Sequence, residues 1–534
     1  MAFFSKYFNR ADPATTPQAR PLPGSTQVAN AAGGFAWSID DWGRLDRFLV
    51  LGSEGGTYYV AERALTLDNA EAVARCVAAD GVRVVARVTA LSQAGRAPKN
   101  DPAIFALAMA AKLGDDATRK AAYAALPAVC RTGTHVMHFA AYAQAFGGWG
   151  RGMRNAVARW FNAKPAADLA YQLVKYQRRD GWSTRDLLRL AHPRAASPSH
   201  DRLFHWVVKG ELTAEAAADP ALAQVAAFER AKRATTAAEV VALIREARLP
   251  REAVPTERLG DATVWEALLA SMPLGALLRN LGTMSKVGLL VTGSAAADLV
   301  VARLADHQAL AKARLHPLAV LAALLTYRAG RGVKSAATWT PVARVVDALD
   351  AAFYATFGTI VPAERRMLLA LDVSGSMGGG AVGGVAGLSP RVASAAMALI
   401  TAATERRHGF VSFQTQLTEL AISPRQRLDD IVRQVSNLPF GGTDCSLPMR
   451  WALEQRREVD VFVVYTDSET WAGPVHPSIA LRAYRERTGI AAKLVVVGMT
   501  STRFTIADPD DAGMLDVVGF DTATPPVIAD FARA

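Results

Sequence analysis

The sequence predicts a multidomain α and α/β protein, in which a long array of packed helices precedes a doubly wound parallel α/β domain. Three observations carry this. Ala-rich segments, each of about three helical turns, follow one another from residue 42 to residue 357, with glycines at the breaks. From Val361–Glu364 onward, apolar β-branched runs alternate with amphipathic helices, the pattern of a parallel sheet covered on both faces. The charge changes at the same place. Residues 361–534 hold 17 Lys+Arg against 19 Asp+Glu, whereas the whole chain of 534 residues carries a formal +11. The basic excess therefore belongs entirely to residues 1–360 and points to a polyanionic partner there.

Taken in order, residues 1–35 are rich in Pro, Gly, Ala, Ser and Thr and read as a flexible N-terminal arm, with Phe3, Phe4, Tyr7 and Phe8 able to dock on the body. Residues 36–360 form the helical domain. Its expected helices are Asp68–Ala79, Pro102–Leu113, Ala117–Leu126, Thr134–Phe146, Ala166–Tyr176 and Thr184–Leu190. Then come Ala214–Arg230, Ala237–Ala247, Val264–Ala270, Leu274–Leu281, Ser294–Ala305, Pro317–Ala329 and Pro341–Phe357. Breaks are expected at Gly81, Gly114, Gly133, Gly147–Gly148 and Gly181. Short helices joined by short turns suggest an α-solenoid, with a compact bundle as the alternative. Residues 361–534 form the α/β domain. Its strands are expected at Arg366–Val373, Gly409–Gln414, Val459–Thr466, Lys493–Val497 and Leu515–Phe520. Its helices are expected at Pro390–Arg406, Leu428–Leu438, Ser446–Glu454 and Pro477–Thr488.

The stretch MLLALDVSGSM, Met367–Met377, reads as a strand buried on both faces that ends in Asp372, Ser374 and Ser376. Polar residues at the carboxyl end of such a strand lie where open α/β sheets place ligands. Thr443, in PFGGTDC, and Asp467, after VFVVYT, stand at equivalent places. Two carboxylates and three hydroxyls are hard oxygen donors, suited to a divalent metal ion: Mg²⁺ first, then Mn²⁺ or Ca²⁺. DxSxS, GGTD and a strand ending in TD together resemble the metal-ion-dependent adhesion site of a von Willebrand factor A domain. The Gly-rich run Gly378–Pro390 is longer than a strand-to-helix turn needs.

The segment Gly148–His192 interleaves arginines and lysines, among them Lys175, Arg178, Arg179 and Arg185, with Trp149, Trp160, Tyr171, Tyr176 and Trp182. Basic groups neutralise phosphates and planar rings stack on unpaired bases. The alternative is a packed core covered by arginine stems, expected for Trp160, Tyr171 and Trp182. LVKYQRRDGWSTRDLLRLAH, followed by LLRNLG at Leu277–Gly282, resembles the Ro family of RNA-binding autoantigens, whose helical part is the TROVE module.

That resemblance implies a ring-shaped, HEAT-like helical domain closed by the A domain. It implies Y RNA on a basic outer face, through Lys175, Arg179 and His192, and single-stranded 3′ ends of misfolded RNAs in a central hole. Arg131, Thr132, His135 and His138, in CRTGTHVMHF, resemble family residues near the hole, with a core position as the alternative for His138. Position 184 departs from the family pattern, with Thr184 where relatives often carry His. The implied role is a non-catalytic scaffold for RNA quality control, maturation or degradation, monomeric within a ribonucleoprotein, with an exoribonuclease such as polynucleotide phosphorylase as partner.

Other classes are disfavoured. Cys76, Cys130 and Cys445 form neither a disulfide framework nor a zinc site, and suit a cytoplasmic protein. The start lacks a signal-peptide core and no uncharged run reaches membrane-span length, so no membrane partner is expected. No glycine–lysine phosphate loop is present. A second set of carboxylates for two-metal hydrolysis is missing, so the protein is not expected to be an enzyme. The competing reading is a cation-dependent protein-adhesion scaffold in which RNA binding is incidental.

Overall fold

The computed structural model describes residues 15–534, apart from 54–56, 58–60, 334–335, 359, 383–384, 386–387 and 440. The expected docking of Phe3, Phe4, Tyr7 and Phe8 lies outside the described residues, as do Phe440 and part of the run Gly378–Pro390. Two short antiparallel strands come first, β1 (Val28–Ala29) and β2 (Phe35–Ser38). There follow α1 (Asp41–Leu51), α2 (Glu62–Ala94), α3 (Asp101–Leu113), α4 (Asp116–Val129), α5 (Gly133–Ala145), α6 (Arg151–Asn162) and α7 (Ala166–Lys175). A hairpin of β3 (Arg178–Arg179) and β4 (Trp182–Ser183) leads into α8 (Thr184–Ala191). Then come α9 (Pro198–Lys209), α10 (Ala214–Ala218), α11 (Ala223–Ala231), α12 (Ala237–Ala247), α13 (Ala262–Ser271) and α14 (Leu274–Lys286). The helical part ends with α15 (Ala295–Ala305), α16 (His307–Ala313), α17 (Pro317–Arg328) and α18 (Ala343–Ala355).

Helix α2 packs on α4, α4 on α6 and α6 on α8, while α3 packs on α5. Alternate helices thus stack in layers, the geometry of an α-solenoid. Four helices of this part were not expected from sequence: α1, α6, α9 and α16. The break expected at Gly81 is a kink inside α2, where Asp80 adopts φ −160°, ψ 83°. Glycine is required there because a Cβ would lie 2.4 Å from the Thr118 side chain on α4. The expected helix Ala214–Arg230 is split at Pro220, which lacks the N–H that would continue the ladder.

The α/β domain comprises β5 (Met367–Asp372), α19 (Pro390–Thr404), β6 (His408–Phe413), β7 (Leu417–Leu420), α20 (Leu428–Ser436) and α21 (Leu447–Glu454). It continues with β8 (Val461–Thr466), α22 (Pro477–Thr488), β9 (Lys493–Gly498), β10 (Phe504–Thr505), β11 (Met514–Val518) and α23 (Thr524–Arg533). The sheet order is β11-β9-β8-β5-β6-β7, parallel except for the edge strand β7. Every residue of β5 and of β8 is buried, as the apolar runs predict. The chain leaves β5 toward β6 and later returns to β8 on the other side, so the topological switch point falls between β5 and β8.

Residues 15–35, expected within a flexible arm, are instead strapped along the α/β domain. Strand β2 pairs with β10. The Gln18 amide donates to Asp444 Oδ1 (2.8 Å) and to the Val475 carbonyl (2.7 Å), and Asn30 Nδ2 donates to the Thr470 carbonyl (2.8 Å). Leu22, Trp37 and Ile479 form a small apolar cluster beneath. A polar composition hid these anchors, because their partners lie more than 400 residues away.

The helical array closes on itself where the end of α2 meets α16–α17. Arg314 Nη1 donates to the Gln93 carbonyl (3.1 Å) and His316 Nε2 to the Arg96 carbonyl (3.2 Å). The α/β domain holds both ends. On the first, Arg47 Nη2 meets both Asp516 oxygens (2.6 and 2.8 Å), and Arg96 Nε donates to Asp521 (2.9 Å). On the last, Arg328 pairs with Asp429, and the Leu428 amide donates to Asp350 (3.1 Å). Arg47 is 1 % exposed and also donates to the Thr502 and Phe504 carbonyls. Replacing it with Met would leave Asp516 without its cation, and chemical denaturation should show a loss of about 3–5 kcal/mol. A loss below about 1 kcal/mol would mean that this contact does not hold the domains together.

Candidate nucleic-acid interface and metal centre

A cavity of about 1000 Å³ opens beside the seam, between the ends of α2 and α5 and helices α14, α16 and α17. Its described lining includes Lys99, Arg131, Arg279 and Arg314, with His135 and His316, and contains no aspartate or glutamate. Trp339 also lines it, stacked on Tyr327 at 18° between planes. Arg131 is held in place by donating to the Ser92 carbonyl (3.0 Å) and hydroxyl (2.9 Å). Burial lowers the Arg131 pKa and pushes the His135 imidazole down to about 4, with the Arg131 charge adding to the effect on His135.

The four residues assigned near the hole part company here. Arg131 and His135 line the cavity. The Thr132 hydroxyl caps α5 by accepting from the His135 amide (3.3 Å), which is a structural task. His138 is buried and bridges two acids: its Nδ1 meets Asp180 and its Nε2 lies 3.4 Å from Asp101. That fits the core alternative for His138, since both ring nitrogens have protein partners. Lys99, Arg279, Arg314 and His316 were missed, although Arg279 lies inside the quoted LLRNLG.

The second surface is the segment from α7 through the hairpin to α8. Arg178, Arg179 and Arg185 are exposed, and Arg178 and Arg185 have no ion-pair partner among the described residues. The hairpin is set by Asp180 and Gly181, both at positive φ, and by a capping box of Ser183 with Asp186 that starts α8. His192 is exposed at the C-cap of α8, in the left-handed region (φ 44°). Lys175 differs: it is half-buried, with its ammonium on the Tyr171 hydroxyl (3.0 Å) and over the Tyr171 and Tyr176 rings. Thr184 is buried, its hydroxyl donating to the Tyr176 carbonyl (3.1 Å), so the departure at this position lies within the fold. As expected, Trp160 is core, its indole N–H on the Cys130 carbonyl.

The structure brings Asp372, Ser374, Ser376, Thr443 and Asp467 to one edge of the sheet, none more than 3 % exposed. Asp372 Oδ1 accepts from the Ser374 amide (2.9 Å) and Oδ2 from the Thr466 hydroxyl (2.6 Å). The two serine hydroxyls lie 3.1 Å apart. Burial first, and the Asp467 charge second, raise the Asp372 pKa; burial raises that of Asp467. The Thr443 hydroxyl, buried as well, has no hydrogen-bond partner. Two buried carboxylates and an orphaned hydroxyl fit a hard divalent cation, which would neutralise the pair and take the spare oxygen. No group of three His, Cys, Asp or Glu able to hold a metal occurs among the described residues, so hydroxyls would have to complete any donor set here.

Comparison with known proteins settles the family. The TROVE domain model matches residues 28–327 and the Ro60 vWA domain model matches residues 366–532. The chain belongs to the Ro60 family. The RNA-binding protein RO60 of Deinococcus radiodurans is 46 % identical over 524 residues, covering 98 % of each chain. That of Caenorhabditis elegans is 37 % identical over 581 residues, covering 95 % of this chain and 90 % of its own. The crystal structure of the Deinococcus radiodurans Ro (Rsr) protein superposes with a TM-score of 0.72, covering 92 % of this chain and 99 % of that one. The Ro60-type helical match begins at β1, inside the strap that packs on the A domain, so the two matched domains interlock rather than abut.

His316 makes the cavity wall sensitive to pH. Its Nδ1 accepts from the Leu318 amide (3.2 Å), so its neutral form uses both nitrogens. Burial pushes its pKa down to about 4. As pH falls from about 6.5 toward that value, the unfolded chain takes up a proton that the folded chain refuses, and up to about 3 kcal/mol of stability is lost. Denaturation across this range should show His316→Asn reducing the slope of stability against pH by about one proton. An unchanged slope would show that His316 is protonated in the folded protein.

Proposed function

We propose that this chain is a non-catalytic RNA-binding scaffold with two sites. Single-stranded ends enter the cavity beside the seam, and a small structured RNA of the Y RNA type lies along the exposed basic segment. The observation that carries this reading is the cavity lining, with four cationic side chains and no acidic one. A lining of that kind attracts a polyanion, and Trp339 offers a ring on which an unpaired base stacks. Lys175, Arg178, Arg179, Arg185 and His192 supply the outer contacts, where phosphates and helix shape would dominate. The RNA-binding names of the relatives support the same class of partner. Misfolded RNAs with single-stranded 3′ ends, presented to an exoribonuclease, fit such a scaffold. The three buried free thiols suit a reducing cytoplasm.

Arg131→Gln with Arg279→Gln should weaken binding of a single-stranded oligonucleotide and lower the salt slope by about 0.7 per lost phosphate contact. Filter binding across a salt series measures both. Unchanged affinity and slope would remove the cavity from the RNA path.

We further propose that Mg²⁺ is held by Asp372, Ser374, Ser376, Thr443 and Asp467, where it pins the strand ends and so the domain that grips the array. A second reading, protein adhesion through that cation, is favoured by Trp471. This side chain is 41 % exposed, and its amide donates to the carbonyl of Thr443 (3.0 Å). Mg²⁺ at about a hundred times its Kd should stabilise the protein by about 2.7 kcal/mol, with EDTA reversing the effect. Asp372→Asn should abolish that stabilisation and leave RNA affinity intact. Equal response in the two proteins would rule out this donor set.

A further inference from the structure

A second cavity, of about 280 Å³, lies between α7, the turn at Arg251–Ala253 and the α13–α14 connection. Its charge is lopsided. Lys175, Arg248, Arg251 and Arg279 line it, against the single carboxylate Glu252. Arg248, Arg251 and Arg279 have no ion-pair partner among the described residues. Close cations without counter-charges repel one another, which favours an anion between them. Helix α14 adds to the field: its N-cap, Pro273, lines the cavity and gives no side-chain cap to the first-turn amides.

The rest of the lining has a different character. Leu249, Leu268 and Met272 make an apolar floor, and the Tyr171 ring makes a wall fixed by its bond to Lys175. Arginine forks match phosphate oxygens, and an apolar floor with an aromatic wall matches a nucleobase. The volume stands near the lower end of small-ligand sites, about 300 Å³. Arg279 lines both this cavity and the large one, so it stands in the wall between them.

We propose that this pocket binds one nucleoside monophosphate unit, with its phosphate on Arg248 and Arg251 and its base against Tyr171 and the apolar floor. The unit comes from an unpaired residue of bound RNA or from a free mononucleotide. The first source rests on the reading of the chain as an RNA-binding scaffold, and the second does not.

The test uses the full chain and two probes. One is an RNA hairpin carrying a single unpaired 2-aminopurine, compared with its fully paired counterpart. The other is adenosine or uridine 5′-monophosphate followed by calorimetry. The unpaired 2-aminopurine should be quenched on binding. Arg248→Ala with Arg251→Ala should weaken that hairpin about tenfold while leaving the paired one unchanged. Ala276→Phe, which fills the pocket without changing charge, should abolish the quenching. Equal affinity of the two hairpins for the unaltered protein, or quenching that survives Ala276→Phe, overturns the RNA source. If neither hairpin binds, the RNA-binding reading fails with it, and the mononucleotides decide. Binding lost in the double variant supports the pocket with a free nucleotide as ligand. No mononucleotide binding in that case overturns the pocket.

Discussion

Closure of the helical array at Arg96 is the constraint on which the rest depends. A solenoid left open would expose the polar ends of its first and last helices. Here one residue serves three elements: the Arg96 carbonyl accepts from His316 and its guanidinium reaches Asp521 of the A domain. Asp521 is fully buried, and burial raises its pKa while Arg96 works in the opposite direction. Such a pair gains little net stability after desolvation, but losing one partner leaves a stranded charge. It therefore selects one registry of array against domain. Arg47 with Asp516 does the same nearby, and Arg328 with Asp429 at the far end.

The seam explains why the A domain is more than an appendage. The cavity lies beside it, and two of its basic residues, Arg314 and His316, make the hydrogen bonds that close the array. The buried carboxylates Asp372 and Asp467 sit at the ends of adjacent strands, β5 and β8, in the same domain that clamps both array ends. A cation held there would reach the cavity only through that clamp. The strap from Gln18 to Phe35 adds a second tie, since it holds the loop after β8 that carries Asp467.

Much of this was legible in the sequence, for physical reasons that differ by region. The convergence of Asp372, Ser374, Ser376, Thr443 and Asp467 follows from a period-independent signal: two buried strands end where polar side chains begin, and a loop before a helix joins them once the sheet is doubly wound. The helices of the array were legible where an apolar stripe repeats. Helix α6 was hidden because Arg151, Arg154 and Arg159 drew attention to charge, while its stripe of Met153, Ala156, Val157 and Trp160 is what folds it. The strap was illegible because its stability comes from single polar side chains and distant carbonyls. The cavity cations were scattered from residue 99 to residue 314, so only folding could collect them.

His138 links the two basic surfaces through the protein's own contacts. On α5, His135 lines the cavity and His138, three residues on, grips Asp180 in the hairpin turn beside Arg178 and Arg179. Residues at that spacing are neighbours on a helix. One turn of α5 therefore joins the inner cavity to the outer basic segment. A short chain of contacts runs from Asp180 through His138 and the α5 backbone to His135 and Arg131. Buried side chains on that path, Val136, Met137 and Phe139, leave little room for independent movement. The hairpin and the cavity wall are for that reason parts of one packed unit of the fold.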